Sequence, residues 1–505
     1  MTDAALPRPR AILDLTVPRR IHVVGIGGSG MSAIATVLAA MGHRVTGSDL
    51  KMSASVERLQ ALGVVTHIGH HAAHVGDAEA VTASTAVPPT NVELTGAARR
   101  GIPVLRRAEV LADICATRRT IAVAGTHGKT TTSSMLALIL AEAGLRPSFI
   151  IGGDINEVGA GGSWDSVGQW LVVEADESDG TFLELAAQAA VVTSVEPDHL
   201  DFYGDVEHMV RAFSTFLAGA PGTRVVCADD AGAAALVAGL TEGAVPAGGP
   251  GAGVAGAGGP GAGFAGAGFA GAGGPGARGR VVTYGTSPGA TYRMEEVATD
   301  RSSSSFDVVH GEARLGRVAL AVPGLHNARN AMAALAMGLS VGADFATAQR
   351  ALARYGGVAR RFEFRGERDG VTYVDDYGHL PSEVAAALAA ARAGAWGRII
   401  AVFQPHRYSR TAALWHSFAD AFVDADVVVV TDVYASGEAP RPGVTGRLVA
   451  DAVTGAHPGQ DVRYHAGHEE LVVALRALLV PGDLCLTLGA GDLTVVPSEL
   501  LGRRG

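Results

Sequence analysis

The sequence predicts an α/β protein built from three consecutive α/β domains, and three observations carry that prediction. Twice, a strand-length apolar run ends in a glycine-rich turn and passes into a helix: RIHVVGIGGSGMSAIATVLAAM from Arg20, and TIAVAGTHGKTTTSSMLALILAEAG from Thr120. Beyond Arg360, four further apolar runs are separated by alanine-rich helical stretches, the pattern of a parallel sheet with crossover helices. The domains are placed at 1–117 (Rossmann-like), 118–358 (central, phosphate-loop type) and 359–505 (Rossmann-like). At 505 residues the chain has room for two to four domains.

In the first domain IHVVG reads as a strand, GIGGSG as a turn and MSAIATVLAAM as a helix stopped at Gly42. RVTGSD, ending at Asp49, then VTAST (81–85) and PVL (103–105) are later strands of the same parallel sheet. In the second domain TIAVAG is a strand, and the helix TTSSMLALILAEAG ends at Gly144. WLVVEADE (170–177) and AAVVTSV (189–195) are buried strands ending in acidic or polar residues. Ligands of open α/β sheets sit at such C-terminal strand ends. Residues 241–279 are dominated by Gly, Ala and Pro, can pack almost nothing, and read as a disordered insertion; regular sequence resumes at RVVTYG. VTYVDDY, RIIAVFQP, DVVVVTDV and DLCLTLGAGD are the strands of the third domain.

Hydrophobic residues make up 48% of the chain and charged residues 18%, enough apolar matter for real cores. The net charge is −10 with no basic block, which argues against nucleic acid as a partner. Cys115, Cys227 and Cys485 fit neither a disulfide framework nor C-x-x-C metal spacing. The first twenty residues lack an apolar signal region, and no apolar run approaches a membrane span. The expectation is a cytoplasmic protein without membrane insertion, monomeric or homodimeric.

AVAGTHGKTTTSS (122–134) departs from the usual phosphate loop G-x-x-x-x-G-K-[ST], because Val123 stands where its first glycine belongs. The physical elements remain: backbone N–H groups aimed at an anion, a helix N-terminus, Lys129 for the β/γ-phosphates and the Thr130 hydroxyl for Mg²⁺. Glu174, at a strand end in EADESDG, is a carboxylate placed for a hard cation. His199, between Asp198 and Asp201 in EPDHLDFYG, is a second metal candidate. Gly25-Ile26-Gly27-Gly28-Ser29-Gly30 matches G-x-G-x-x-G, with Asp49 at the distance of a ribose-binding acid. Alone, that pattern suggests an NAD-dependent oxidoreductase. Any diphosphate on a nucleoside fits the same turn, so two phosphate sites equally suit a nucleotide-linked substrate beside ATP. In the third domain VDDYGHLPSE and FQPHRYSRT both follow strands, and Arg407 and Arg410 suit a carboxylate.

The ordered set GIGGSGMS, AGTHGKTTT, EADESDG, EPDHLDFYG, PGLHNARNA, RRFE, DDYGHLPSE, FQPHRYSRT and GAGD strongly resembles the Mur ligases, over nearly the whole chain. The resemblance implies a UDP-sugar domain, an ATP domain and an amino-acid domain that closes on the others. It also implies that the short G-T-x-G-K-[ST] loop is this family's ATP loop. The implied reaction joins L-alanine to the lactyl carboxylate of UDP-N-acetylmuramate through an acyl phosphate, with ATP and Mg²⁺. The alternative is a branch that recycles whole peptides onto the same sugar. Carried over by motif, Gly125, Thr126, His127, Gly128, Lys129, Thr130 and Thr131 hold ATP. His326, Asn327 and Asn330 are its adenine-side residues, Arg361 reaches the γ-phosphate and Asp376 contacts the ribose. Thr130, Glu174 and His199 are metal ligands. Gly28, Ser29, Gly30, Asp49, His70, Ser84 and Thr85 hold the UDP sugar, and Tyr377, His379, Arg407 and Arg410 form the L-alanine pocket. Lys129, His199, Arg361 and His379 are the residues expected to serve the chemistry, His379 as base. One departure stands out: the family's DDYGHHP has a second histidine where this chain has Leu380.

Overall fold

Three parallel-rich sheets follow one another along the chain in the computed structural model, which describes residues 13–156, 158–241 and 279–503. The insertion at 241–279 therefore lies almost wholly outside the described residues. Among the described residues no helix is long and apolar enough to cross a membrane.

The first sheet has five parallel strands in the spatial order Val65–Ile68, Arg44–Asp49, Arg20–Val24, Ala80–Ala83, Val104–Arg106. The helix Ser29–Ala40 leaves the strand Arg20–Val24 through the glycine turn. Val23, Val24, Val37 and Leu38 are fully buried, each side chain contributing roughly 2 kcal/mol by leaving water.

The middle sheet has ten strands. Its heart is Arg119–Ala124, flanked in parallel by Trp170–Glu174 and Ala187–Val192. Val123 and Ala124 are fully buried, so the position that departs from the usual loop pattern is a core strand residue. The loop helix Lys129–Glu142 is buried from Thr130 to Ala137 because it packs on the helices Leu325–Ser340 and Phe345–Ala353. One arm of the sheet, Tyr292–Thr299, Ser304–His310 and Ala313–Leu320, is antiparallel, as is the strand pair Ser148–Ile155 and Ala160–Ser163 at the far edge.

The third sheet is ordered Glu363–Arg368, Val371–Asp376, Asp483–Leu488, Arg398–Phe403, Val427–Val430, Asp461–Tyr464. All its pairings are parallel except the first. Ion pairs join the units: Arg58 to Asp154 (2.8 Å) and Arg107 to Asp176 (2.9 Å) between the first and second, Arg410 to Asp198 (3.3 Å) between the second and third.

Candidate active site

The phosphate loop is built before any ligand arrives. Gly125 and Gly128 have positive φ, and a Cβ on Gly128 would collide with the Asn330 side-chain amide. The neighbouring strand end braces the loop: Thr126 N–H donates to Ser194 O (2.9 Å) and His127 N–H to Ser194 Oγ (2.9 Å). Lys129 Nζ donates to Gly125 O (2.6 Å), Thr126 O (3.2 Å) and Glu177 Oε1 (2.8 Å). Burial opposes the Lys129 charge, but Glu177, Asp176 and Glu174 together raise its pKa and keep it cationic. Gly128→Ala, which forces both strain and a clash, is expected to raise the KM for ATP by at least ~10-fold. Steady-state kinetics on the refolding-competent variant checks it.

Thr130 Oγ1 donates to Glu174 Oε1 (3.0 Å), and Glu174 Oε2 accepts from Gly152 N–H (2.7 Å). Hydroxyl and carboxylate therefore stand together at the head of the loop helix. That donor set suits Mg²⁺, which takes one or two protein oxygens and completes its shell with phosphates and water. His199 begins the short helix after the next strand end and has φ 51°. Its Nε2 lies 3.2 Å from Asp198 Oδ2, and Asp198, Arg410, Asp176 and Lys129 are the charges that act on it. Among the described residues no three His, Cys, Asp or Glu side chains gather as a preformed metal cage.

A cavity of about 380 Å³ opens above the loop. Nine of the twelve expected ATP residues line it: His127, Gly128, Thr130, Thr131, His326, Asn327, Asn330, Arg361 and Asp376. Gly125, Thr126 and Lys129 lie behind them in the loop. His326 is kept neutral, its pKa lowered to about 4 by burial and by Arg361 and Arg329. Asp376 caps two backbone N–H groups, Gly378 and Phe362 (2.7 Å each), and burial raises its pKa to about 6. The arginine pair divides its work. Both guanidiniums lie over the Tyr377 ring (5.1 and 4.9 Å), but Arg360 is bonded to Asp375 (3.2 Å) and Gly489 O (2.6 Å), whereas Arg361 lines the cavity. Arg360 and Phe362, on either side, both hold positive φ (62° and 48°). Such strain costs on the order of 1–3 kcal/mol per residue and collects at functional sites.

The amino-acid residues also converge. His379 stands edge-on to Tyr377 and to His406 (5.5 Å each), and Arg410 Nη1 is 3.3 Å from His406 Nδ1. Arg407 has φ 68° and a buried Nε without a partner. Burial above all keeps His379 neutral, with a pKa of about 4. Leu380 is buried, and its backbone N–H donates to Glu383 Oε2 (3.2 Å). What this position gives the helix cap is thus independent of its side chain.

In the first unit Gly27 N–H donates to Asp49 Oδ2 (2.8 Å), tying the glycine turn to the end of the next strand. Ser84 packs against Gly25, Thr85 is exposed beside it, and Gly28 is exposed on the turn. Ser29 begins the helix, and a Cβ on Gly30 would lie 3.2 Å from Arg107. His70 Nδ1 lies 3.0 Å from both Ser48 Oγ and Glu93 Oε2. Burial penalises the Glu93 charge, yet His22, Ser48 and the His71 N–H hold its pKa down to about 2.

Family models match the chain in order. "Mur ligase family, catalytic domain" covers residues 20–119, "Mur ligase middle domain" 123–246 and 273–338, and "Mur ligase, glutamate ligase domain" 360–491. A UDP-N-acetylmuramate–L-alanine ligase of Rubrobacter xylanophilus is 46% identical over 488 residues, covering 96% of this chain and 100% of that one. The chain belongs to the Mur ligase family. A second L-alanine ligase, from Pelotomaculum thermopropionicum, is 42% identical, covering 96% of this chain and 97% of that one. Among solved structures, the UDP-N-acetylmuramate–alanine ligase of Thermotoga maritima superposes with a TM-score of 0.75 at 27% identity, covering 96% of this chain and 98% of that one. A murein peptide ligase from Psychrobacter arcticus shares the fold at 22% identity and a TM-score of 0.66, covering 96% and 98%.

Sequence reasoning missed several residues of this Mur ligase's site. Glu177, Glu196, Asp198, Glu383 and His406 all lie inside motifs quoted for other residues, so their neighbourhood was the available signal. Arg107 lies outside every motif. Its signal is its place just past the strand Val104–Arg106, at a parallel strand's C-terminal end.

Proposed function

We infer that this Mur ligase joins L-alanine to the lactyl carboxylate of UDP-N-acetylmuramate at the expense of ATP, in cytoplasmic peptidoglycan precursor synthesis. The observation that carries the reading is full-length identity of 46% and 42% to ligases of that name. The ATP-loop and amino-acid residues converging across the second and third units support it.

The glycine turn, with Gly28, Ser29, Gly30, Asp49, His70, Ser84 and Thr85, would hold the UDP sugar. Lys129 and Arg361 neutralise charge on the transferring phosphoryl oxygens as the carboxylate attacks the γ-phosphorus, the β,γ-anhydride bond breaks, ADP leaves and an acyl phosphate forms. Thr130 and Glu174 would hold Mg²⁺, with His199 a further ligand by the resemblance of its motif. When bound, the ion supplies charge neutralisation between triphosphate and carboxylate. Arg407 and Arg410 would take the carboxylate of L-alanine. L-Alanine attacks the acyl carbonyl as its neutral amine, and neutral His379 takes the proton that the nitrogen sheds as the C–N bond forms and phosphate is expelled. The seam between the second and third units keeps water from the acyl phosphate.

Mass spectrometry of the product from UDP-N-acetylmuramate, ATP and Mg²⁺ tests the reading. With L-alanine the sugar nucleotide gains one alanyl residue. A product formed only with a tripeptide would move the chain to the recycling branch.

The middle-domain match breaks between 246 and 273, so most of the Gly-Ala-Pro stretch falls outside that match. The strands on either side, Arg224–Cys227 and Val281–Gly285, pair with each other in parallel. Shortening the connection costs or gains only about 1 kcal/mol of loop entropy. Deleting residues 244–276 is expected to leave kcat within about twofold and the melting temperature near that of the full chain, checked by kinetics and calorimetry.

A further inference from the structure

The phosphate loop and the amino-acid pocket belong to different units, yet one carboxylate touches both. Glu383 sits in the first turn of the helix Pro381–Arg392. Its Oε1 lies 3.1 Å from Nδ1 of His127, on the phosphate loop. Its Oε2 accepts from the backbone N–H groups of His379 (2.9 Å) and Leu380 (3.2 Å) and lies 3.3 Å from His379 Nδ1. The side chain is 13% exposed.

The partners fix where the protons are. His127 has a carboxylate at each ring nitrogen, Glu383 at Nδ1 and Glu196 at Nε2 (3.2 Å). Carboxylates only accept, so both nitrogens donate and the ring is an imidazolium. Burial opposes that charge, and Glu196 and Glu383 override it, leaving a pKa of about 9. Ser382 adds its hydroxyl at 3.0 Å from His127 Nε2. His379 is the opposite case. Its Nδ1 faces two pure acceptors, Glu383 Oε2 and Tyr377 O (3.1 Å), so a neutral ring carries its hydrogen there. The lone pair is thereby left on Nε2. A carboxylate that holds one imidazole nitrogen protonated so that the other can accept is the orienting logic of hydrolase triads.

We propose that Glu383 is a positioning residue that sets the tautomer of His379 and latches the third unit onto the phosphate loop through His127. The carboxylate that holds the loop imidazolium is thus the one that fixes the proton on the base. This rests on the reading of His379 as the base in alanine ligation.

The test is Glu383→Gln, compared with His127→Gln and the double variant. Glutamine keeps the size but has a single carbonyl oxygen, so it can accept from His127 or from His379 Nδ1 and the two backbone N–H groups, never from both. For Glu383→Gln the expected result is a fall in kcat/KM for L-alanine of at least ~30-fold, with the Kd for UDP-N-acetylmuramate within about twofold. His127→Gln gives a smaller loss, and the double variant is no worse than Glu383→Gln alone. Acyl phosphate is trapped separately with hydroxylamine, a small nucleophile already neutral near pH 7 that attacks acyl phosphates without help from an amino-acid pocket. Hydroxamate formation by Glu383→Gln should then lie within about fivefold of the wild-type rate. Retention of kcat/KM for L-alanine within about threefold, multiplicative losses in the double variant, or an equal loss with hydroxylamine would each overturn the proposal. Should Glu383→Gln fail to fold, the His127→Gln comparison between L-alanine and hydroxylamine decides: unequal losses support the latch, equal ones reject it. A wild-type chain inactive with L-alanine overturns the ligase reading itself, a distinct outcome.

Discussion

Lys129→Ala lowers kcat by about a thousandfold or more while the Kd for UDP-N-acetylmuramate stays within about twofold. The size follows from what Lys129 does. Its ammonium is buried, kept charged by three carboxylates, and held at the mouth of the loop by two carbonyls and Glu177. No other side chain in the loop is a lysine or arginine. Alanine removes the only fixed cation of the loop that can exchange Glu177 for phosphate. It also takes from buried Glu177 the cation that opposes the rise of its pKa. The glycine turn proposed for the UDP sugar lies in another unit, whereas Lys129 is bonded to Gly125, Thr126 and Glu177 of its own. Single-turnover kinetics gives the first quantity and calorimetry the second.

Arg361→Ala has an effect of the same order for a different reason. A guanidinium stabilising a transferring phosphoryl group contributes about 10³ to 10⁵ in kcat. Arg361 is poised for that role: the backbone on each side is strained, and it lines the cavity while its neighbour Arg360 is held by Asp375 and Gly489 O. The expected result is a kcat lower by about 10³, with the KM for ATP changed by less than about tenfold. Arg361→Lys should recover little, since an ammonium cannot reproduce the planar fork. A variant with normal kcat and a KM for ATP raised a hundredfold would place Arg361 in ground-state binding instead.

Much of this was legible in the sequence because the informative features are local. A strand, a glycine turn and a helix are contiguous at 119–142, and so are the motifs that carry the ATP-loop and cavity residues. Some strands that went unread do not show their burial in their own letters. Val65–Ile68 and Asp461–Tyr464 are edge strands with no fully buried residue. Tyr292–Thr299 pairs in a hairpin with a register shift, and its charged residues obscure the alternation. In the site, Glu383 and Glu196 could not be given roles from the sequence. They meet at His127 only because the third unit packs on the second, and no local pattern encodes that closure. The missing histidine at Leu380 points the same way: the loss looked chemical in the motif, whereas the described contact there is a backbone N–H.

Phosphate release from ATP by the purified full chain, with Mg²⁺ and UDP-N-acetylmuramate, with and without L-alanine, tests the central claim most directly. The account predicts sustained release only when both UDP-N-acetylmuramate and L-alanine are present, one phosphate for each alanyl product. Release that is indifferent to L-alanine, or none at all with every component supplied, would contradict it.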